Sequence, residues 1–344
     1  MGFRRQLGET FVFLGTEKQK MRYVPSSSGE GVKLRSHPDA RHPECRHYQD
    51  GIDYMVDEVV GTISRLESGA IPDWRSHALC GKEKFDHRDY AMISNSAYTV
   101  YADYGYEEKD SDNESILART EIASHVESND GMHDTNLAHW AQKLHTKQSI
   151  SLVVLGDSIS RGAEIPDEKF TFAHCFTALL CERFPSAEVK LTMKAIGGES
   201  SEGGLLRLQE DVIALQPDLV TIGYGMNDQN WDADSGNGVP LLDFEHHIAT
   251  MIEQVQAQTE AAIILITPCL PNPQWHFASE NVTEYADTLR LLAKRYEVTL
   301  ADVQKLWIAE LAAGKSTASL LMNNVNHPNE YGHSIYTKAL AEVL

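Results

Sequence analysis

Four short stretches carry residue types suited to acyl transfer. In SLVVLGDSIS (Ser151–Ser160) an apolar run ends abruptly at Gly156-Asp157-Ser158, setting a serine beside an acid. IGGESSEGG (Ile196–Gly204) is glycine-rich, and a backbone without Cβ atoms lets its N–H groups approach a ligand closely. GYGMND (Gly223–Asp228) supplies Asn227. HPNEYGH (His327–His333) opens with a histidine and then Pro328, a residue favoured at an early helical position. Serine, glycine amides, asparagine and histidine are a nucleophile, two oxyanion donors and a base. Alone, GDS says little. Asp157 or Ser158 could equally cap a short helical turn, and the stretch is not the G-x-S-x-G elbow of another hydrolase class.

The elements around these stretches raise the specificity of the pattern. From residue 149 the rhythm is strand, loop, helix, repeated. Strands are expected at 151–155, 188–196, 218–224, 261–267 and 297–303. Helices are expected at 168–184, 203–215, 243–258, 282–295, 304–313 and 329–343. Continuous apolar strands alternating with amphipathic helices predict a parallel sheet covered on both faces. Sites in such sheets form outside the carboxyl ends of the strands. Three of the four stretches follow expected strands, and the histidine stretch precedes the last helix.

Residues 1–148 read differently. YMVDEVVGTISRLE (Tyr54–Glu67), YTVYADYGY (Tyr98–Tyr106) and ILARTEIASHV (Ile116–Val126) have strand composition, separated by turn-forming clusters. The expectation is a β-rich accessory domain, a small sandwich over residues 1–130. DTNLAHWAQKLHTKQ (Asp134–Gln148) has helical spacing and would bridge to a catalytic domain at 149–344.

Composition bounds the partners. The 344 residues carry 30 Lys+Arg against 50 Asp+Glu, a formal charge of −20. That balance argues against nucleic acid or an anionic membrane surface as the main partner and suits a neutral substrate. The longest apolar run, AAIILIT (Ala261–Thr267), is far short of a membrane span. MGFRRQLGETFVFLG is interrupted by Gln6, Glu9 and Thr10, a poor signal peptide, so a cytoplasmic location is expected. Five cysteines without framework spacing fit a reducing compartment. His42, Cys45, His47, His77 and Cys80 match no specific zinc spacing and read as scattered loop residues, so no metal is expected.

With GDS, the glycine loop, G-x-N-D and the final His-Pro in order, the chain from about 150 to 344 resembles the SGNH hydrolase superfamily, the GDSL-type esterases. The resemblance implies a three-layer α/β/α fold with a short parallel sheet, here preceded by the β-rich, sandwich-like domain. It implies a serine ester hydrolase without a cofactor. On that pattern Ser158 Oγ attacks an ester carbonyl, and His327 takes its proton and returns it to the leaving alcohol. Ser158 N–H, Gly198 N–H and the Asn227 side chain would hold the oxyanion. Asp157 and Asp228 are expected to be structural, as is His333, which falls inside the last helix.

The pattern departs from the family at one place. Members usually carry D-x-x-H-P, and here Asn324-Val325-Asn326-His327-Pro328 puts an amide where the acid belongs. Three readings stand: a Ser–His dyad with Asn324 or a backbone carbonyl fixing the tautomer, a substitute acid such as Asp302 or Glu330, or an inactive site. The first is favoured because the other four parts are intact. Two-domain members with a β-sandwich ahead of the SGNH domain often deacetylate plant polysaccharides, which makes an acetylated carbohydrate the expected substrate. Trp231 and Trp275 could then stack on a sugar face, or could equally be loop packing. The alternative is a carbohydrate-binding protein that kept the fold and lost turnover.

Overall fold

The computed structural model describes residues 2–26, 31–107, 149–234 and 236–344. The strand expected at 116–126 and the helix expected at 134–148 lie outside the described residues. The described residues form two compact units. One takes those within Met1–Ser128 together with Ile308–Tyr331, and the other takes those within Asn129–Trp307 together with Gly332–Leu344. A single boundary at 148/149 does not anticipate the return of 308–331 to the N-terminal unit.

The first unit holds strands β1 (Phe3–Val12), β2 (Gln19–Lys20), β3 (Lys33–Arg35), β4 (His47–Tyr48), β5 (Tyr54–Asp57), β6 (Thr62–Arg65) and β7 (Thr99–Glu107). They build two antiparallel sheets, ordered β1-β7-β3-β4 and β2-β6-β5. Phe11, Phe13, Met21, Leu34, Ile63 and Val100 pack into one core drawn from both sheets, the sandwich-like arrangement expected. Two details differ from the sequence reading. Tyr54–Glu67 is a hairpin rather than one strand, with β5 and β6 paired from Tyr54↔Arg65 to Asp57↔Thr62. The N-terminal stretch is strand β1, paired with β7 from Phe3↔Glu107 to Val12↔Thr99. Its signal was weak because only its last four residues are fully buried and its register shifts between Gln6 and Glu9, at Gly8.

The second unit runs β8 (Ser149–Gly156), α1 (Ser158–Arg161), α2 (Phe172–Arg183), β9 (Glu188–Ala195), α3 (Ser201–Asp211), β10 (Leu219–Gly223), the short pair β11 (Trp231–Asp232) and β12 (Gly236–Asn237), α4 (Leu241–Gln258), β13 (Ala262–Ile266), α5 (Val282–Tyr296) and β14 (Thr299–Ala301). Helix α6 (Val303–Ala312) begins in this unit, and α7 (Glu330–Ala341) ends in it. The sheet is parallel, ordered β14-β13-β10-β8-β9. Leu208, Phe244, Ile248, Tyr285 and Leu289 from α3, α4 and α5 cover one face, against Val153, Leu155, Val220 and Ile222. The alternate strand residues Leu152 and Val154 are just as buried, as are Phe172 and Phe176 of α2. Burial on both faces explains why the strands read as unbroken apolar runs.

Sheet order fixes where a site can form. The chain leaves β8 for β9 on one side and returns for β10 on the other. The crevice between the carboxyl ends of β8 and β10 is therefore the topological switch point.

Candidate active site

Strand register sets three loops side by side. Gly156, the last residue of β8, lies opposite Gly223 of β10 and Ala195 of β9. The stretches that follow, led by Asp157-Ser158, Ile196-Gly197-Gly198 and Tyr224–Asn227, leave the sheet together. Gly156 is required by close approach, since a Cβ there would lie 2.3 Å from Ser160 Oγ and 2.7 Å from the Gly223 carbonyl.

Asp157 caps α1. Its carboxylate accepts the N–H groups of Ile159 at 2.9 Å and Ser160 at 3.4 Å. The helix-cap reading of GDS is thus correct for Asp157, and Ser158 becomes the first residue of a one-turn helix ended by Gly162 at φ +76°. Ser158 is 7% exposed.

The glycine loop lies beside that serine. A Cβ built at Gly197 would sit 3.9 Å from Ser158 Cβ. Gly198 has φ +77° with open space around it, so its backbone conformation, not crowding, selects glycine. Asn227 Nδ2 donates to the Glu199 carbonyl at 2.9 Å, which ties the asparagine to the same loop and leaves its second N–H for another acceptor.

Two carboxylates hold the loops in this arrangement. Asp228, fully buried, accepts Ser201 N–H on one oxygen and Gly225 N–H on the other, both at 2.9 Å. Burial pushes its carboxyl above the ordinary range, against the pull of those amides. The structural role expected for Asp228 is the one it has. Glu199 is gripped by Arg207 Nε at 2.8 Å and by the Tyr224 hydroxyl at 2.7 Å, and Arg207 also pairs with Asp211. This Glu199–Arg207–Tyr224 brace was not read from the sequence. Its signal is present in the spacing, since Glu199 and Arg207 flank the loop and the first turns of α3.

Asn324 and His327 belong to the N-terminal unit. Asn323 Oδ1 accepts the N–H groups of Val325, Asn326 and His327 at 2.9, 3.0 and 3.0 Å, a turn that fixes the histidine backbone. Asn323 was missed, although N-N-V-N-H is a sequence in which an Asx turn is natural. Asn324 is 1% exposed with φ +57°, a backbone region asparagine tolerates better than most residues. Its Nδ2 donates to the Ile93 carbonyl at 2.8 Å and to Asn95 Oδ1 at 2.7 Å, and its Oδ1 accepts from Asn95 Nδ2 at 2.8 Å.

The two acids considered as substitutes have other duties. Asp302 is held by Arg290 at 2.7 and 2.8 Å and by Thr267. Glu330 accepts the Tyr101 hydroxyl at 2.7 Å. His333 is buried. Its Nδ1 accepts Phe172 N–H at 3.2 Å and its ring stacks on Phe172, the structural placement expected.

The two tryptophans part company. Trp231, on β11, is 46% exposed, whereas Trp275 is 4% exposed and packs against Phe277. Packing, the plainer of the two readings, describes Trp275. Among the described residues no cluster of three or more His, Cys, Asp or Glu is placed to hold a metal, and no helix is long and apolar enough to cross a membrane.

The parallel sheet is layered with helices and carries Ser158, the glycine loop and Asn227 at its switch point, and the chain is an SGNH-type hydrolase. The chain belongs to the GDSL-like lipase/acylhydrolase family, whose model matches residues 154–335, and it is a carboxylic ester hydrolase. An acetylxylan esterase from Geobacillus stearothermophilus is 25% identical over 201 residues, which cover 55% of this chain and 90% of that protein. Among solved structures, a catalytic mutant of an acetylxylan esterase from the same organism is 23% identical with a TM-score of 0.49, covering 56% of this chain and 93% of that one. An alpha/beta hydrolase enzyme from the metagenome of Lake Arreo is also 23% identical with a TM-score of 0.49, covering 58% and 97%.

Proposed function

We propose that this protein removes small acyl groups, acetyl first, from esterified carbohydrate. Ser158 acts as the nucleophile and His327 as its base. Ser158 N–H, Gly198 N–H and Asn227 Nδ2 receive the oxyanion. The observation that carries this reading is the register of Gly156, Ala195 and Gly223, which delivers the serine, the glycine loop and the asparagine to one crevice.

The chemistry follows from the groups. Ser158 Oγ attacks the ester carbonyl as His327 takes its proton, giving a tetrahedral intermediate. As the carbonyl oxygen gains charge, donors held in advance by Asp228 and Glu199 receive it without rearranging, and one such donor is typically worth about 3 kcal/mol. As the intermediate collapses, the ester C–O bond breaks and the imidazolium protonates the leaving sugar oxygen, which departs as a hydroxyl. Water, activated by the same histidine, releases the acid.

The relative from Geobacillus, an acetylxylan esterase, supports an acetyl group on a carbohydrate. Trp231, on the hairpin that follows the Asn227 loop, is an exposed ring suited to a sugar face. A second reading, a carbohydrate-binding protein without turnover, is motivated by Asn324 in place of the usual acid. Incubation with p-nitrophenyl acetate and with acetylated xylan, mannan and xylooligosaccharides tests both. Release of p-nitrophenol and acetate supports the esterase. Sugar binding without any release supports the second reading.

A further inference from the structure

His327 is carried by a segment that folds on the N-terminal strands. Lys315 pairs with Glu9 of β1 at 2.5 Å, both side chains almost wholly buried, and donates to the Thr10 carbonyl at 2.7 Å. Val12 N–H donates to Ser319 Oγ at 3.0 Å. The tightest hold is Asn95, which is fully buried between β6 and β7 in sequence. Its backbone N–H donates to the Met322 carbonyl at 2.6 Å, and Met322 N–H donates in turn to the His327 carbonyl at 2.7 Å. Its side-chain Nδ2 lies within hydrogen-bond reach of three acceptors, the Ala318 and Leu321 carbonyls and Asn324 Oδ1, at 3.0, 2.9 and 2.8 Å. Its Oδ1 accepts from Trp74 Nε1 at 2.8 Å, which fixes the orientation of the amide.

We infer that Asn95 is a positioning residue for His327. The inference rests on the reading of His327 as the base. Asn95 fixes residues 318–324, and Asn323 and Met322 within that stretch fix the backbone of His327 from both sides. Few contacts are needed to lose alignment: a displacement of about 1 Å at a reacting group can cost about 100-fold in rate.

The test uses the full chain and four substitutions. Asn95→Ala is expected to lower kcat for p-nitrophenyl acetate about 100-fold with KM little changed. A serine-directed phosphonate separates misalignment from misfolding. Misaligned protein labels completely but slowly, whereas partly unfolded protein labels incompletely at the normal rate. Ile63→Ala, in the sandwich core, is expected to lower stability while leaving kcat at the wild-type value. In a His327→Ala background, Asn95→Ala should cost no further kcat, because its effect runs through the histidine.

If Asn95→Ala labels incompletely, Trp74→Phe, which removes the indole donor to Asn95 and keeps a smaller ring over His77, carries the test, and it should lower kcat at unchanged KM. Wild-type kcat in a fully labelled Asn95→Ala, or in Trp74→Phe when that variant is the arbiter, overturns the inference. Wild-type kcat in His327→Ala overturns the reading beneath it instead, whatever the Asn95 variants do.

Discussion

Asn95 and Asn324 hydrogen-bond each other in both directions, Asn95 Nδ2 to Asn324 Oδ1 at 2.8 Å and Asn324 Nδ2 to Asn95 Oδ1 at 2.7 Å. Asn324 Nδ2 also faces the Ile93 carbonyl, and Trp74 prevents the Asn95 amide from turning over. A carboxylate at 324 would set an oxygen against two fixed oxygens. Asn324→Asp, which restores the usual family residue, is therefore expected not to raise kcat. Loss of the donor in a buried site should cost about 1–3 kcal/mol. Urea unfolding and steady-state kinetics check both parts. A hundredfold gain in kcat would show instead that position 324 wants an acid.

Asp302 offers a pH signature. Burial alone would raise its pKa, but the paired Arg290 outweighs burial and holds it below the ordinary value. Its stabilisation is then full above the unfolded carboxylate pKa and is lost as pH falls through the lower native one. Asp302→Asn should lose about 2 kcal/mol at neutral pH, a gap that closes below about pH 4, with kcat changed little. A large kcat loss at full stability would make Asp302 the missing acid.

Glu330 has the opposite sign. Burial raises its pKa, opposed by the Tyr101 hydroxyl. Its contribution is present below the unfolded pKa and is lost as pH rises through the native one. Glu330→Gln, which still accepts from Tyr101, should therefore be neutral or stabilising at pH 8 and less favourable at pH 4. Greater destabilisation at pH 8 than at pH 4 would contradict this assignment.

Asp228 joins the glycine loop to the asparagine loop through two amides. An amide side chain has one acceptor for those two donors, and its NH2 would oppose the other. Asp228→Asn should lower stability by about 1–3 kcal/mol and depress kcat more than KM, as Gly198 and Asn227 lose their fixed positions. Unchanged kinetics would separate the Asp228 clamp from the reaction.

Sheet and helices were legible because the strands of the second unit are buried on both faces and its helices are amphipathic. Ser158, Gly198 and Asn227 stood out as candidates because each follows an apolar strand that glycines and polar residues end, with Ser158 opening a one-turn helix and the other two in loops. The rest depends on distant pairing. β1 becomes a strand through β7, far along the chain. Residues 308–331 join the N-terminal unit through Glu9–Lys315 and Asn95–Asn324, partners more than two hundred residues apart with no local periodicity to announce them. Asn324 looked like a lost acid. Its positive φ and its bonds to Ile93 and Asn95 give the asparagine reasons of its own.

Acyl size tests the substrate reading. A glycine-framed crevice with polar donors should accept a small acyl group better than a fatty one. Across p-nitrophenyl esters from acetate to octanoate, kcat/KM should fall with chain length. A rise towards octanoate would indicate a lipase-like entrance and remove the case for carbohydrate acetates.

On the proposed mechanism Ser158 carries the acyl group. Mass spectrometry of the protein treated with a serine-directed phosphonate, read beside acetate hydrolysis by Ser158→Ala, tests it most directly. One adduct is expected, on Ser158, with loss of activity in step with labelling and a folded Ser158→Ala variant with background turnover. An adduct on another residue, or acetate hydrolysis that survives in Ser158→Ala, would contradict it.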